Sequence, residues 1–348
     1  MKKGYLIKIL CFVTLIMVIV YAAGCGSSSK SYPTHTYTVG IWPYGIAIDT
    51  SGNIWITNFY SDTVTKLSPT GTTLGTYTVG YSPFGIAIDS SGNSWVTNFN
   101  SSANITATVP ATITKLSPAG ETIGTYAVLP YPPAVAIDSS GNVWVLGGKN
   151  SVVKLGPTGT TMGTFTVAGY HPQGIAIDSS GSVWITSYDN TATELSSTGV
   201  TIGTYVVGNS PEGIVVDTSD NIWVVNGGDN SITKLSPAGE TIGTYAVGRY
   251  PSTVAIDSKD HVWVTNGGSN SITELNSSGS TIGTYAVGAS PYGIAIDSSG
   301  NVWVANSGVE INYFIGKIVA SVESNTVTEL VGVAKGPQYW PYTGPQWP

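Results

Sequence analysis

The sequence predicts an all-β protein, a seven-bladed β-propeller made of four-stranded antiparallel blades. The first observation is a repeat: the segment Gly-Ile-Ala-Ile-Asp at 45–49 returns in related form six more times, at steps of 40, 49, 40, 39, 40 and 40 residues. The second is a Trp six residues after each repeated Asp. The third is that no unit carries the 3.6-residue apolar period of an amphipathic helix. A period near 40 residues with short strand-like runs is typical of a propeller.

The first unit shows the four expected strands. Strand-like runs lie at 45–49, 53–58, 63–68 and 73–79, and turns of the types Asp-Thr-Ser-Gly-Asn and Ser-Pro-Thr-Gly separate them. A solenoid of the same period is the alternative. It would need capping units at its ends, and the sequence contains none.

The two ends of the predicted domain, 34–335, indicate that the ring closes. Thr-Tyr-Thr-Val-Gly at 36–40 repeats at 76–80, where it forms the fourth strand of the first unit. In the last unit the third strand lies at 326–330, and no fourth strand of this type follows it. We therefore expect an N-terminal strand to complete blade seven. This pairing would remove an open sheet edge, which otherwise invites aggregation.

The repeated residues have structural explanations. A Trp buries about 150–250 Å², so we expect the seven to pack between neighbouring blades. Each Asp opens a tight turn, where its carboxylate can accept the N–H groups of residues that follow. A calcium loop is the alternative for Asp-x-Ser-Gly-Asn, but the motif lacks the additional carboxylates that a Ca²⁺ shell usually needs.

Composition excludes two classes of protein. Hydrophobic residues make up 41% of the chain, which is too many for a disordered protein. The net charge is −7 and only 9% of residues are charged, so no basic stripe is available to follow phosphates. We therefore expect no nucleic-acid partner.

The N-terminus has the features of an exported, lipid-anchored protein. A basic start precedes a short apolar run, and Ala-Ala-Gly-Cys at 22–25 resembles the bacterial lipobox. We expect a lipoprotein signal peptide at 1–24, lipidation of Cys25 and a flexible tether over 25–33. The residue after Cys25 is Gly rather than Asp, which favours the outer membrane. An ordinary secretory signal with a chance Cys is the alternative.

Strand parity predicts which loops share a face. The loops that lead into the first strand of each unit lie with those that join its second and third strands, and these loops vary most between units. A rigid ring that varies its loops on one side is typical of a binding surface. The alternative is that the aromatic residues here only cap the blade ends. The expected binding residues are Trp42, Tyr44, Phe84, Tyr131, His171, Gln173, Tyr188, Asp189, Glu212, Asp229, Arg249, Tyr250 and Tyr292.

Three segments depart from the repeat. Two are insertions on the variable face, near 99–110 and 307–324, and the second is apolar enough to form a hairpin, either over the central channel or packed down beside it. The third is a tail at 336–348, whose many Pro residues exclude a regular ladder. We expect this tail to dock on the ring, and a partner-binding tail is the alternative.

The units resemble NHL-type repeats and the related propellers of streptogramin (virginiamycin B) lyases. The segment Gly-Ile-Ala-Ile-Asp-Ser-Ser-Gly-Asn-Val-Trp-Val at 293–304 carries the resemblance, which extends over about residues 35–330. It implies a propeller and, for the lyases, His and acidic side chains with magnesium on one face. In them a His commonly follows the Pro of the loop before the first strand, and a Glu closes the Trp strand. Here the first set of positions holds Tyr44, Phe84, Pro133, Gln173, Glu212, Ser252 and Tyr292. The second holds Asn58, Asn98, Gly147, Ser187, Asn226, Asn266 and Asn306.

Catalytic candidates are correspondingly few. Of the three His residues, only His171 falls on the variable face, and a general base would need Glu212 or Asp189 beside it. His261 lies in a turn on the opposite face, where other units have Asn or Ser. With no His₃ or Cys/His set we expect no metal and no cofactor.

These observations together predict a monomeric, membrane-anchored extracytoplasmic lipoprotein on the bacterial outer membrane. Its propeller would bind a glycan, peptide, small molecule or protein through the variable face. The alternative is a streptogramin-lyase-like lyase or hydrolase that uses His171 and nearby carboxylates.

Overall fold

The computed structural model describes residues 32–99, 111–314, 317–322 and 325–334, which belong to one compact unit beginning at Tyr32. Within these ranges the only helix is a single 3₁₀ turn at Gly267–Ser269. Among the same residues no helix is long and apolar enough to cross a membrane.

The strands form seven four-stranded antiparallel sheets, as the sequence predicts. We name the strands of each blade A, innermost, to D, outermost. Strand D of blade 7 is β1 (Thr34–Thr38). Blade 1 contains β2 (Pro43–Ile48), β3 (Ile54–Asn58), β4 (Thr63–Leu67) and β5 (Thr73–Thr78). Blade 2 contains β6 (Pro83–Ile88), β7 (Ser94–Asn98), β8 (Thr112–Leu116) and β9 (Thr122–Ala127). Blade 3 contains β10 (Val135–Ile137), β11 (Val143–Gly147), β12 (Ser151–Leu155) and β13 (Thr161–Thr166). Blade 4 contains β14 (Pro172–Ile177), β15 (Val183–Ser187), β16 (Thr191–Leu195) and β17 (Thr201–Val206). Blade 5 contains β18 (Pro211–Val216), β19 (Ile222–Asn226), β20 (Ser231–Leu235) and β21 (Thr241–Ala246). Blade 6 contains β22 (Pro251–Ile256), β23 (Val262–Asn266), β24 (Ser271–Leu275) and β25 (Thr281–Ala286). Strands A to C of blade 7 are β26 (Pro291–Ile296), β27 (Val302–Asn306) and β30 (Thr326–Leu330).

The ring closes where the sequence predicts. β1 pairs antiparallel with β30, in a register that runs from Thr34 opposite Leu330 to Thr38 opposite Thr326. The Tyr37 ring stacks on Trp303 with centroids 5.6 Å apart, and its hydroxyl donates to Glu329 over 2.9 Å. The N-terminal strand therefore supplies both a ladder and a core aromatic to the last blade.

The seven repeated Trp side chains are fully buried between blades, which confirms the packing prediction. Trp303 of blade 7 belongs to the core cluster of Ile46 and Ile54 in blade 1, and Trp55 belongs to that of Ile86 in blade 2. Burial of one such side chain contributes roughly 4–6 kcal/mol before opposing terms are subtracted. Each blade thus forms its core with the next.

The repeated Asp residues do more than close a turn. Oδ1 of Asp49 accepts the N–H groups of Ser51 and Asn53, as the sequence suggests, while Oδ2 accepts Trp55 Nε1 over 3.0 Å and lies 3.2 Å from Lys66 Nζ. Burial alone would raise the pKa of Asp49, but these hydrogen bonds and the Lys66 charge outweigh it and hold the pKa below its ordinary value. The carboxylate therefore joins the turn, the buried Trp and the neighbouring strand.

The Lys residues also connect neighbouring blades. Lys66 Nζ lies 4.5 Å from the Trp55 ring centroid and donates to the Pro118 carbonyl of blade 2 over 2.7 Å. Equivalent ion pairs occur in blades 2, 3 and 5. A buried cation is stabilised here by a carboxylate, a ring face and a carbonyl oxygen together.

The insertion predicted near 307–324 contains a hairpin with its own two-stranded sheet, β28 (Val309–Phe314) and β29 (Lys317–Val322). Its position relative to the channel stays a prediction. Most of the 99–110 insertion, the segment 1–31 with Cys25, and the tail at 336–348 lie outside the described residues.

Candidate functional site

The variable loops share one face, in agreement with the parity argument. We call the loops before strand A the D–A loops and those between strands B and C the B–C loops, and together they form the loop face. Tyr60 N in one B–C loop donates to Ile41 O in the D–A loop of the same blade, and Gly267 N donates to Tyr250 O in the same way. The Asp turns and the C–D turns form the opposite side, the turn face.

Every D–A loop contains a residue with positive φ directly before its Pro. The backbone is left-handed here in all seven blades, with φ between 47° and 55°, whatever the side chain. Such a conformation is strained for residues other than Gly, and its recurrence makes it part of the architecture. The residues are Trp42, Ser82, Tyr131, His171, Ser210, Tyr250 and Ser290.

A hydrogen-bond pattern that recurs in three blades positions the residue that follows the Pro of the next blade. Thr57 Oγ1 accepts Gly45 N within its own blade and donates to Phe84 O of the next blade over 2.8 Å. Thr186 bonds Glu212 O in the same way, and Thr265 bonds Tyr292 O. At these three blade boundaries the same bond therefore holds a different residue, Phe84, Glu212 or Tyr292, at the position after the Pro.

These residues surround the channel mouth. A depression with an empty volume of about 300 Å³ is lined by Tyr44, Phe84, Pro133, Thr253 and Tyr292, together with the Gly backbone of adjacent strands. The rings of Tyr44 and Phe84 lie 4.5 Å apart, as do those of Tyr44 and Tyr292. Four of these residues, Tyr44, Phe84, Pro133 and Tyr292, directly follow the Pro of a D–A loop, a position that comparison of the units identifies as variable.

The aromatic residues form one continuous cluster over blades 7, 1, 2 and 3. Trp42 and Tyr60 lie 4.5 Å apart, and Phe99 contacts Tyr131 at 5.5 Å between centroids. The Phe59 ring lies between Trp42 and Tyr44, with its centroid 6.0 Å from that of Trp42 and 5.5 Å from that of Tyr44. We call this set the aromatic cluster, and its members are Trp42, Tyr44, Phe59, Tyr60, Phe84, Phe99, Tyr131 and Tyr292.

The Glu212 carboxyl group lies close enough to this aromatic surface to interact with Tyr44 and Tyr188. Burial raises the pKa of Glu212 to about 8, and among the described residues its carboxyl has no hydrogen-bond or ion-pair partner. The pKa of Tyr44 rises to about 12 through burial and the charges of Glu212, Tyr60 and Tyr188. Burial and Glu212 likewise raise the pKa of Tyr188. At neutral pH the mouth therefore holds a protonated carboxyl group and phenols, all able to donate hydrogen bonds.

The remaining predicted residues lie on the rim. Tyr131 is 55% exposed, Tyr188 46% and Tyr250 63%, and the Arg249 guanidinium lies 5.8 Å from the Tyr250 ring. Gln173 is half-buried and donates to the His171 carbonyl.

Two rim acids organise their own loops. Asp229 accepts Asn209 N and Nδ2, which holds its pKa below the ordinary value. Asp189 accepts the Thr191 hydroxyl over 2.8 Å.

The catalytic candidates do not converge. Among the described residues, one group of three His, Cys, Asp or Glu side chains has ligand atoms within 4.8 Å of one another, and it does not include His171, Asp189 or Glu212. His171 instead packs edge-on against Tyr170, with centroids 4.1 Å apart. Mg²⁺ is held through carboxylate oxygens, and among the described residues Asp189 and Glu212 belong to no group of three possible ligands, so the loop face has no assembled ligand set for the magnesium that the lyase resemblance implies.

The strand-end positions also have a structural role. Asn58 accepts Gly40 N and donates to the hydroxyls of Thr63 and Thr65, which fixes the D–A loop to strand C. Asn226 and Asn266 repeat this pattern. The side chains of Asn58, Asn226 and Asn266 are therefore engaged in hydrogen bonds within the blade.

Sequence reasoning missed several members of the site. Phe99 follows the end of strand B of blade 2 as Phe59 does in blade 1, so aligning the two B–C loops could have found it. Thr253 gave no comparable signal, because its position is Gly in most units. It lies at the register shift between Pro251 and Val254 in strand A of blade 6.

The fold and loop face define a seven-bladed propeller with an aromatic, acid-containing channel mouth. The chain belongs to the virginiamycin B lyase family, whose model matches residues 31–315. No curated protein matches the chain.

Solved structures show the same fold. A streptogramin B lyase is similar with a TM-score of 0.72 and 20% identity, covering 86% of this chain and 97% of its own. Selenomethionine-substituted virginiamycin B lyase from Staphylococcus aureus gives a TM-score of 0.72 at 18% identity, covering 86% and 99%. A catalytically inactive variant of the S. aureus enzyme, solved with quinupristin, gives 0.71 at 19% with the same coverage.

The Glu212 environment predicts a pH-dependent stability. The group binds its proton up to about pH 8 in the folded protein but only to about pH 4.5 when unfolded, so stability should fall as pH rises through this window. We expect Glu212→Gln to melt at the wild-type temperature at pH 5 and above it at pH 9. Thermal denaturation monitored by circular dichroism measures this difference.

Glu240→Gln, on an exposed turn, is the matched control and should follow the wild type at every pH. Identical pH profiles for Glu212→Gln and wild type would contradict the buried, proton-holding carboxyl group.

Proposed function

We propose that this protein is a membrane-anchored extracytoplasmic lipoprotein whose propeller binds an amphipathic ligand at the channel mouth. The observation that carries the proposal is the aromatic cluster beside Glu212. Apolar faces with a few polar groups at fixed positions are typical of small-molecule sites. None of the described residues that line the depression is basic, so we expect a neutral or cationic ligand rather than a polyanion.

The cluster supports stacking against a planar or apolar ligand surface. Trp42, Tyr60 and Tyr131 present their rings at the rim, and Tyr44 and Tyr292 form the floor. Large aromatic side chains dominate binding energetics because they bury much surface at little cost in conformational entropy.

Glu212 and the phenols provide hydrogen-bonding groups that would orient a ligand on this surface. A protonated carboxyl group donates one hydrogen bond and accepts others, so it suits a carbonyl, ether or hydroxyl group on the ligand. The S. aureus relative was solved with quinupristin, and we use that compound as the first probe for the equivalent face of this chain.

Aromatic substitutions test the binding proposal. Trp42→Ala and Tyr292→Ala should each weaken quinupristin binding about tenfold, since a large aromatic side chain that anchors a ligand typically contributes more than 1 kcal/mol. Isothermal titration calorimetry measures the dissociation constants, and glycan and peptide arrays extend the search if quinupristin does not bind.

His171→Ala is the matched control, because His171 occupies in blade 4 the left-handed position that Trp42 occupies in blade 1. It should bind as the wild type does. Unchanged binding by both aromatic variants would overturn the proposed site.

The membrane anchor is proposed from the sequence at 22–25 and needs its own test. In a bacterial host, Cys25→Ser should abolish incorporation of radiolabelled palmitate and release the protein from the membrane fraction. Cys11→Ser, within the predicted signal peptide, is the control and should leave both unchanged. Labelling that persists in Cys25→Ser would exclude lipidation at this residue.

A lyase-like activity is the second candidate. Family membership favours it, and Glu212 is a carboxyl group whose pKa of about 8 suits proton transfer near neutral pH. If this candidate is correct, quinupristin should be converted to a new chromatographic species, and Glu212→Gln should stop the conversion. Binding of quinupristin without its conversion supports the binding function over the lyase-like activity.

A further inference from the structure

The turn face of blade 6 departs from other blades at two positions. In blades 1, 2, 3 and 5 a strand C Lys places its ammonium group 3.2 Å from Oδ2 of the turn Asp. Blade 6 has Glu274 in the register position that Lys66 occupies in blade 1. It also has His261 at the turn position of Asn53. A fixed cation is thus replaced by an acid and an imidazole.

The two changes bring three possible metal ligands together. One ligand atom from each of Asp257, His261 and Glu274 lies within 4.8 Å of the other two. Asp257 is fully buried and Glu274 is 4% exposed, so both carboxyl groups are withdrawn from water. Glu also replaces Lys in blades 4 and 7, but among the described residues only blade 6 forms such a group.

The separations match the coordination sphere of a small divalent cation. His261 Nδ1 lies 3.0 Å from Glu274 Oε1 and 3.4 Å from Asp257 Oδ2. A tetrahedral Zn²⁺ ion with bonds of about 2.0–2.1 Å holds its ligand atoms about 3.3–3.4 Å apart. His261 Nδ1 therefore already lies near zinc-ligand spacing from both carboxylates, and the remaining separation, between the two carboxylates, is within 4.8 Å.

The surrounding hydrogen bonds orient the three groups. Asp257 Oδ1 accepts two backbone N–H groups of its turn, and Oδ2 is 3.4 Å from Trp263 Nε1, the longest of the seven Asp–Trp separations. The Tyr285 hydroxyl donates to Glu274 Oε2 over 2.5 Å, which leaves Oε1 directed at His261. Such outer-shell bonds orient ligands and strengthen metal sites.

We propose that Asp257 Oδ2, His261 Nδ1 and Glu274 Oε1 bind a zinc ion on the turn face of blade 6. The four Lys-containing blades support this independently, because each has a cation beside the equivalent carboxylate. The His261 side chain is 25% exposed, so water can reach the ion and complete its coordination. The ion would join the turn to strand C, a structural role separate from the channel mouth.

Metal binding to the full-length protein, purified without a His tag, tests the site. We expect the wild type to bind one Zn²⁺ in competition with a chromophoric chelator. His261→Asn and Glu274→Lys each restore the residue of blade 1, so both should fold, and each should weaken zinc binding at least about tenfold. Zinc should also raise the melting temperature of the wild type and of neither variant.

Glu194→Lys, the same change in blade 4, is the matched control and should retain wild-type zinc binding. Absence of saturable zinc binding by the wild type would overturn the proposal, as would equal binding by wild type, His261→Asn and Glu274→Lys.

Discussion

The pairing of β1 with β30 is the constraint on which the rest of the structure depends. Without it blade 7 would have three strands and an open edge, and its Trp303 would lose the ring of Tyr37. The contact joins residues almost 300 positions apart, so it forms against a large loop-closure entropy. Blade 7 reinforces it with side chains, because Glu329 accepts from both Tyr37 and His35. Closure then directs all seven D–A loops to one mouth.

A constant framework presents a variable site in this ring. The same Thr bond holds the backbones of Phe84, Glu212 and Tyr292, although the three side chains differ in chemistry. One side of the mouth is consequently aromatic and the other carries the proton-holding carboxyl group. The turn face shows the same relation. Where blade 1 has Lys66 and Asn53, blade 6 has Glu274 and His261, and a group of three possible metal ligands stands in place of the Asp–Lys ion pair. Substitution at repeated positions thus changes the chemistry of each face while the blades keep their packing.

The fold could be predicted almost completely from the sequence, because its determinants are periodic: the Asp and Trp of each unit and the duplicated Thr-Tyr-Thr-Val-Gly at 36–40. The site could be predicted only in part. Tyr44, Phe84 and Tyr292 follow from their place after Pro, but the burial of Glu212 and its interaction with Tyr44 and Tyr188 depend on side chains contributed by several blades. Among the described residues, the absence of His171 and Glu212 from any group of three possible ligands and the grouping of His261 with Glu274 are likewise three-dimensional results. Neither spacing nor composition encodes the distances between atoms of different strands.

Cross-linking the two closing strands tests the central claim most directly. Thr36 and Thr328 face each other in the β1–β30 register, and antiparallel partners lie within the Cα separation that a disulfide spans. In the double variant Thr36→Cys/Thr328→Cys a disulfide should form in the folded protein and raise the free energy of unfolding by about 2–4 kcal/mol, a gain that reductant removes. Failure of the two thiols to join, or a disulfide that lowers the unfolding free energy, would contradict closure of the ring by this strand.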